Sequence, residues 1–407
     1  MEQYSEAFVG IDTAKKKHAL AIADPGRDGE IRYLGEIDSS PATVQRMIRK
    51  LAGRYEKLYF CYEAGPTGYG LYRQVRALGH DCIVVAPSLV PKRPGERVKT
   101  NRRDAVTLAR LLRAGDLTPV WVPDAVHEAV RDVVRARTAA SEDLRRKRQQ
   151  LLSFLLRHGR IYRGRKHWTK MHLYWLAQQK FDHPAQQIVF QDAVDAIEDA
   201  ATRLRRLDQQ VAEIVPSWSM APVVEAYQAM RGVSFAVAVT FVVEIGDLRR
   251  FDNPRQLMAF LGLVPSERST GERVRRAGLT LAGNKRARRV LVEGAWSYRY
   301  PARVSQTLQA RLEGLPKTGS RNRLEGANSL VRPLPSAHRR RQKASVGHCR
   351  NCPRDGGVSV GHRATRRARR MIASPANDPD KTQVALVLLS SVFESATPVK
   401  ADPAGHC

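Results

Sequence analysis

Acidic side chains are scarce: 40 Asp and Glu stand against 69 Lys and Arg, a formal net charge of +29 over 407 residues. A cationic surplus of that size attracts phosphate-rich polyanions, which makes nucleic acid the first partner to consider. Cysteine is scarce too, at five residues. Cys61 and Cys82 fall in strand-like runs and the other three lie beyond residue 345, a spacing that excludes a disulfide framework and predicts reduced core thiols. No run approaches the roughly 20 apolar residues of a membrane span. No nucleotide-binding glycine loop occurs either, because Gly65-Pro-Thr-Gly68 lacks a following Lys-Ser/Thr, so no ATPase is implied. Met1 is followed by Glu2, Tyr4 and Glu6 rather than by a basic cluster and an apolar run. That start predicts no secretory signal and a cytoplasmic, nucleoid-associated protein. A hydrophobic content of 43% excludes wholesale disorder, and the length suits two or three domains.

From Phe8 to about Leu117 short β-rich runs alternate with helix patterns, the signature of an α/β layer domain with a mixed sheet. Strands are expected at Phe8–Asp12, Lys17–Asp24, Arg32–Ile37, Lys57–Tyr62 and Asp81–Ala86, and helices at Pro41–Arg54, Gly68–Leu78 and Arg102–Ala114, the last closed by Gly115. Two long amphipathic helices follow, Ala125 to His158 and Gln186 to Val215, spaced for a helical hairpin or coiled coil that packs within one chain or serves as a dimerisation arm. Between them Arg160–His172 is basic and aromatic, which suits a turn facing nucleic acid and equally a solvated loop. A third region predicts helices at Phe235–Glu244, Pro254–Leu261 and Asn284–Tyr300, with a polar basic loop from Pro265 to Gly283. The resulting division is 1–120 for the α/β domain, 121–220 for the long helices, 221–316 for a mostly helical domain and 317–407 for a tail.

Past Thr318 the composition breaks. From 319 to 370 the acids are Glu325 and Asp355 alone, arginines abound and no Phe, Tyr or Trp occurs. Such a segment buries too little apolar surface to offset its chain entropy, so disorder is expected there. A basic DNA- or RNA-binding tail is one explanation and a shifted reading frame is the preferred one. Cys349 and Cys352 with His338, His348 and His362 offer half of a zinc motif.

Asp12 and Glu63 close predicted strands and Asp104 opens the helix after the sheet. Carboxyl ends of strands gather at one edge of an α/β sheet, so these acids can converge, and hard oxygen ligands of this kind suit Mg²⁺ or Mn²⁺. Lys92, Arg93, Arg97, Lys99, Arg102 and Arg103 crowd the approach to Asp104, as a phosphodiester substrate requires.

These residues carry a resemblance. Phe8-Val-Gly-Ile-Asp12-Thr-Ala-Lys, Tyr62-Glu63-Ala-Gly-Pro-Thr-Gly and Val98-Lys-Thr-Asn101-Arg-Arg-Asp104-Ala resemble the N-terminal, RuvC-like, ribonuclease-H-type domain of the DEDD insertion-sequence transposases, the bridge-RNA-guided recombinases. Phe260-Leu-Gly-Leu-Val-Pro265-Ser-Glu-Arg-Ser269-Thr-Gly271, continuing to Gly278-Leu-Thr-Leu-Ala-Gly-Asn284, is similar to their second, C-terminal transposase domain. The resemblance implies four metal-binding acids near the scissile phosphate and a serine that holds DNA as a phosphoserine. Asp12, Glu63 and Asp104 match three of the acids. The fourth falls on Asn101, which offers a carbonyl oxygen to a cation but no charge. The resemblance sets the family's serine just before the glycine that Gly271 matches, and with two adjoining hydroxyls the nucleophile lies among Ser266, Ser269 and Thr270, Ser269 being preferred. Its hydroxyl needs a base or a metal to take its proton. Arg273, Arg275, Arg276, Lys285, Arg286, Arg288 and Arg289 are expected to clamp the DNA backbone without reading it. Arg231–Ala238 resembles a degenerate helix-hairpin-helix turn.

The function implied is transposition by DNA strand exchange, with a guide RNA choosing sites and a dimer or tetramer holding two DNA segments. Its rivals are a metal-dependent resolvase or nuclease that uses water, and an inactive nucleic-acid-binding relic.

Overall fold

The computed structural model describes residues 6–91, 100–271, 273, 275–299 and 305–313. The tail from 314 onward, with Cys349 and Cys352, lies outside the described residues, as do Lys92, Arg93, Arg97 and Lys99. The chain divides after Asp124 into two units.

The first unit is a five-stranded sheet built from β1 (Glu6–Thr13), β2 (Lys17–Ala23), β3 (Ile31–Asp38), β4 (Lys57–Glu63) and β5 (Asp81–Val85), in the order β3-β2-β1-β4-β5. The first three strands form an antiparallel meander, and β4 and β5 join it in parallel. That mixed sheet is compatible with the ribonuclease-H-type fold implied by the resemblance. Helices α1 (Pro41–Ala52) and α2 (Gly70–Ala77) cover one face, where Ile11, Leu20, Phe60 and Tyr62 pack against Val44, Ile48 and Val75. Helix α3 (Asn101–Ala114) covers the other, laying Ala105 and Ala109 on Ala19, Ala21 and Ala23.

Small residues make that second face. A Cβ on Gly10 would stand 2.3 Å from the Ala109 amide nitrogen and 2.4 Å from the Ala105 carbonyl oxygen, so only glycine lets α3 approach β1 this closely. Gly115 ends α3 in the left-handed conformation, φ 72°, at the expected place. Cys61 and Cys82 are buried free thiols, and burial pushes the Cys82 thiol up to about 12.

In the second unit α4 (Ala125–Arg157) and α6 (Pro184–Ile214) pack along Leu144, Leu151, Leu155, Phe190 and Ile197, an intrachain hairpin. The buried stripe of α4 runs through Val130 and Val134, while Val126 in its first turn is exposed. A short helix α5 (Lys170–Ala177) starts at the end of the Arg160–His172 stretch expected as a turn or loop and runs beyond it. At the other end of the hairpin Val130, Val134 and Val211 share a core with α7 (Ala221–Gln228), α8 (Phe235–Ile245), α9 (Pro254–Phe260) and α10 (Lys285–Ala295). The polar stretch expected as a loop folds into an antiparallel hairpin of β6 (Pro265–Glu267) and β7 (Arg276–Leu279). Helix α11 (Gln306–Glu313) follows. Among the described residues no helix is long and apolar enough to cross a membrane.

Candidate active site and nucleic-acid interface

Strands β1 and β4 are parallel with Ile11 opposite Tyr62, so the next residues, Asp12 and Glu63, stand side by side at the carboxyl edge of the sheet. Their face follows from alternation. Gly10 lies against α3 and the Cys61 thiol lies 3.5 Å from the Leu108 carbonyl of α3; two residues on, Asp12 and Glu63 return to that same side. The direction of α3 follows from its ends. Arg113 near its C-terminus donates to the carbonyls of Asp24 and Gly29, whereas Asn101 at its N-terminus donates Nδ2 to Glu36 Oε1 at 3.4 Å. Glu36 pairs with Ala19, and Ala19 with Asp12. The first turn of α3 therefore sits over the edge that carries Asp12 and Glu63.

Thr100 makes that turn start where it does. Its hydroxyl accepts from the Arg103 amide, placing Asn101 at the first helical position and Asp104 one turn in, on the stripe that also bears Ala105 and Leu108. Asp12, Glu63 and Asp104 are half-buried and Asn101 is exposed. The donor set is all oxygen, which fits a hard divalent cation in kind, and its members share one face and one edge. As the side chains stand, no three acidic, His or Cys groups among the described residues gather closely enough to hold a metal ion. Glu36 is a further acid on this face that sequence reasoning missed; its signal was the strand alternation that sets it opposite Ala19.

Arg102 lies 5.4 Å over the Tyr33 ring, and Arg103 is exposed. On the opposite face, beside Thr13, an open groove lined by Lys15, His18, Ser39, Thr67 and Gln74 runs along the same edge.

In the second unit Gly271, at φ 59°, turns the β6–β7 hairpin, whose last rung joins Thr270 and Arg273 through backbone bonds in both directions. The three candidate hydroxyls are thereby separated. Ser266 donates to the Gly278 carbonyl across the hairpin at 2.9 Å, which commits it to the fold. Ser269 is exposed and donates to Glu267 Oε1 at 2.6 Å. Thr270 is exposed at the last rung. Glu267 was not foreseen. Its signal is its place two residues before Ser269, which puts both side chains on one side of an extended segment.

The cations around this hairpin differ in their commitments. Arg273, Arg275, Lys285 and Arg286 are exposed. Arg288 instead spends Nη1 on the carbonyls of Leu261 and Ala282, and burial lowers its pKa. Arg289 pairs with Glu142 of α4 at 3.1 Å. For Arg276 only the backbone, in β7, is described. The Arg231–Ala238 turn is used in packing: Ser234 caps α8, and a Cβ on Gly232 would strike the Gly294 carbonyl.

A family model for transposases of DEDD type matches residues 9–159, and one described as the IS116/IS110/IS902 transposase family matches residues 224–309. These two stretches hold the acids and the hydroxyl hairpin, respectively. The chain is 58% identical over 310 residues to the y4qE protein of Sinorhizobium fredii, which carries a transposase name, covering 76% of each chain. It is 31% identical over 315 residues to the transposase for insertion sequence element IS1533 of Leptospira borgpetersenii, covering 76% of this chain and 90% of that one. The class is thus insertion-sequence transposase. The chain belongs to the IS110-type DEDD family.

Proposed function

We propose that this transposase cuts and rejoins the DNA of its element through Ser269, with Glu267 as the base that takes the serine proton. In this reading Ser269 Oγ bonds to a backbone phosphorus as its proton passes to Glu267. The bond from phosphorus to the departing deoxyribose oxygen breaks, and that oxygen leaves as a hydroxyl once protonated. Attack by a hydroxyl of the second DNA segment then releases the serine and joins the strands. The observation that carries the assignment is the 2.6 Å contact between Ser269 Oγ and Glu267 Oε1, set beside the engagement of Ser266 with a backbone carbonyl.

Asp12, Glu63 and Asp104, with the Asn101 carbonyl oxygen, would hold Mg²⁺ or Mn²⁺, which when bound supplies charge stabilisation at a scissile phosphate. The exposed Arg273, Arg275, Lys285 and Arg286 position the DNA backbone, and a guide RNA supplies sequence choice by pairing. Two DNA segments must be held at once, so the working form is a dimer or tetramer.

The test is trapping labelled element-end DNA on the full chain with its RNA and Mg²⁺, read as a denaturation-resistant adduct. The wild type and Ser266→Ala are expected to form it, Ser269→Ala to lose it, and Glu267→Gln to form it about 10²–10⁴ times more slowly. Cleavage that survives substitution of Ser266, Ser269 and Thr270 together assigns the chain to the water-using nucleases. Asn101, a neutral residue where the resemblance implies an acid, favours a second reading as a DNA-binding relic; formation of any adduct excludes it.

A further inference from the structure

The free end of the α4–α6 hairpin lies roughly 35 Å along α4 from Val134, where the hairpin enters the core of its unit. Helix α5, at this end, is apolar on most sides, a composition that calls for burial all round. It buries only His172 and Leu176. Met171 is 67% exposed, Tyr174 63% and Leu173 52%, and Leu156, Ile161 and Ile188 beside the turn are exposed as well. A gathering of apolar side chains in water marks a surface that meets something.

Charge says what. Between Gly159 and Phe181 there are six cations, Arg160, Arg163, Arg165, Lys166, Lys170 and Lys180, and no Asp or Glu. Two such tips meeting in a symmetric contact would oppose cation to cation, which disfavours a second copy. A polyanion with exposed flat faces satisfies both features at once. Rings packed around the buried His172 brace the tip. Tyr162, His167, Trp168 and Trp175 surround His172 with centroids 4.8 to 5.7 Å away, and Arg148 lies 4.7 Å over Trp168. His172 Nδ1 accepts from the Trp168 amide at 3.2 Å. The exposed side chains thus stand on a fixed base.

We propose that this tip binds single-stranded DNA. Bases stack on Tyr174 and on the apolar side chains of Met171 and Leu173, and phosphates meet the surrounding Arg and Lys side chains. A duplex hides its base faces inside the stack, so pairing weakens the contact. The inference takes from the family assignment only that DNA is the nucleic acid at hand, and it needs neither the serine step nor the metal.

Fluorescence anisotropy on the full chain, without Mg²⁺, tests it with four probes: labelled oligo-dT of about thirty residues, a duplex and an oligo-rU of the same length, and phosphatidylglycerol vesicles. Tyr174→Ala is expected to weaken oligo-dT binding about tenfold and leave the duplex unchanged, with Tyr174→Phe retaining wild-type affinity. A 5-iodouracil oligomer is expected to cross-link at α5. Equal loss on single strand and duplex, no loss at all, or tighter binding of oligo-rU or vesicles than of oligo-dT overturns the proposal. So does a change in oligomeric mass on Tyr174→Ala. Binding is read without cleavage, so failure of the Ser269 route leaves these outcomes untouched. Coincident melting curves establish that the exposed substitution has not unfolded the tip.

Discussion

Glu244, on an α8 that is otherwise apolar except for Thr240, is held by Arg135 Nε and Nη2 at 2.8 and 2.9 Å and by Asn284 Nδ2 at 2.9 Å. Asn284 in turn caps α10 through the amides of Arg286 and Ala287. One carboxylate therefore ties α4, α8 and the helix that presents Lys285 and Arg286. Burial alone would raise its pKa; the bonds from Arg135 and Asn284 outweigh burial and leave it lowered. The sign of the pH effect follows: the stabilisation is present above the ordinary carboxylate value near 4.5 and is lost as pH falls through the lower folded value. Glu244→Ala is expected to cost about 3 kcal/mol in urea unfolding at pH 7, the low end for a broken buried pair because Arg135 keeps 37% exposure. The cost should shrink below pH 4; a pH-independent cost would mean that packing and not charge sets it. None of this was legible in the sequence, since Glu244 reads there as the polar end of an apolar helix. Asp12 and Glu63 were legible because a strand end is a local feature. Glu267 and Glu36 were not, because each acquires its partner only through strand geometry.

At the scale of elements, the strands and α1 to α3 were legible because alternation and cap residues are written in runs of ten residues or fewer. The β6–β7 hairpin was not: its strands are three and four residues long and carry no apolar alternation. Helix α5 was missed for the opposite reason, since apolar residues on most of its sides hide the helical period. Of the legible elements, α3 matters most, because its first turn brings Asn101 and Asp104 over the edge bearing Asp12 and Glu63. Thr100→Ala removes the cap and is expected to lower stability by about 1 kcal/mol, with Thr100→Ser close to neutral. Strand cutting should fall further than that loss explains, because fraying moves the two side chains that the turn places. Urea unfolding and single-turnover cleavage on the same variants check this. A cleavage rate that merely tracks stability would show that the turn is held by packing on Gly10 alone.

For the whole molecule, the +29 surplus bears on affinity more than on fold. Some cations are spent internally, as Arg135, Arg137, Arg288 and Arg289 show. The exposed ones on α10, the β6–β7 hairpin and the α5 tip remain for phosphates. If about six to ten phosphates are neutralised, duplex affinity falls about 10³–10⁵-fold between 50 and 200 mM salt, with a log–log slope of about −5 to −9. Anisotropy titrations of the protein alone in KCl measure that slope. On the proposed reading the polypeptide holds phosphates and leaves sequence choice to pairing, so unrelated duplexes of equal length should give the same slope and affinities within a few-fold. If a guide RNA chooses the sites, as proposed, discrimination should appear only when that RNA is added, without a steeper salt dependence, since pairing adds specificity and not protein–phosphate contacts. A shallow slope, or strong sequence preference in the protein alone, would place base reading in the polypeptide and remove the reason for a guide.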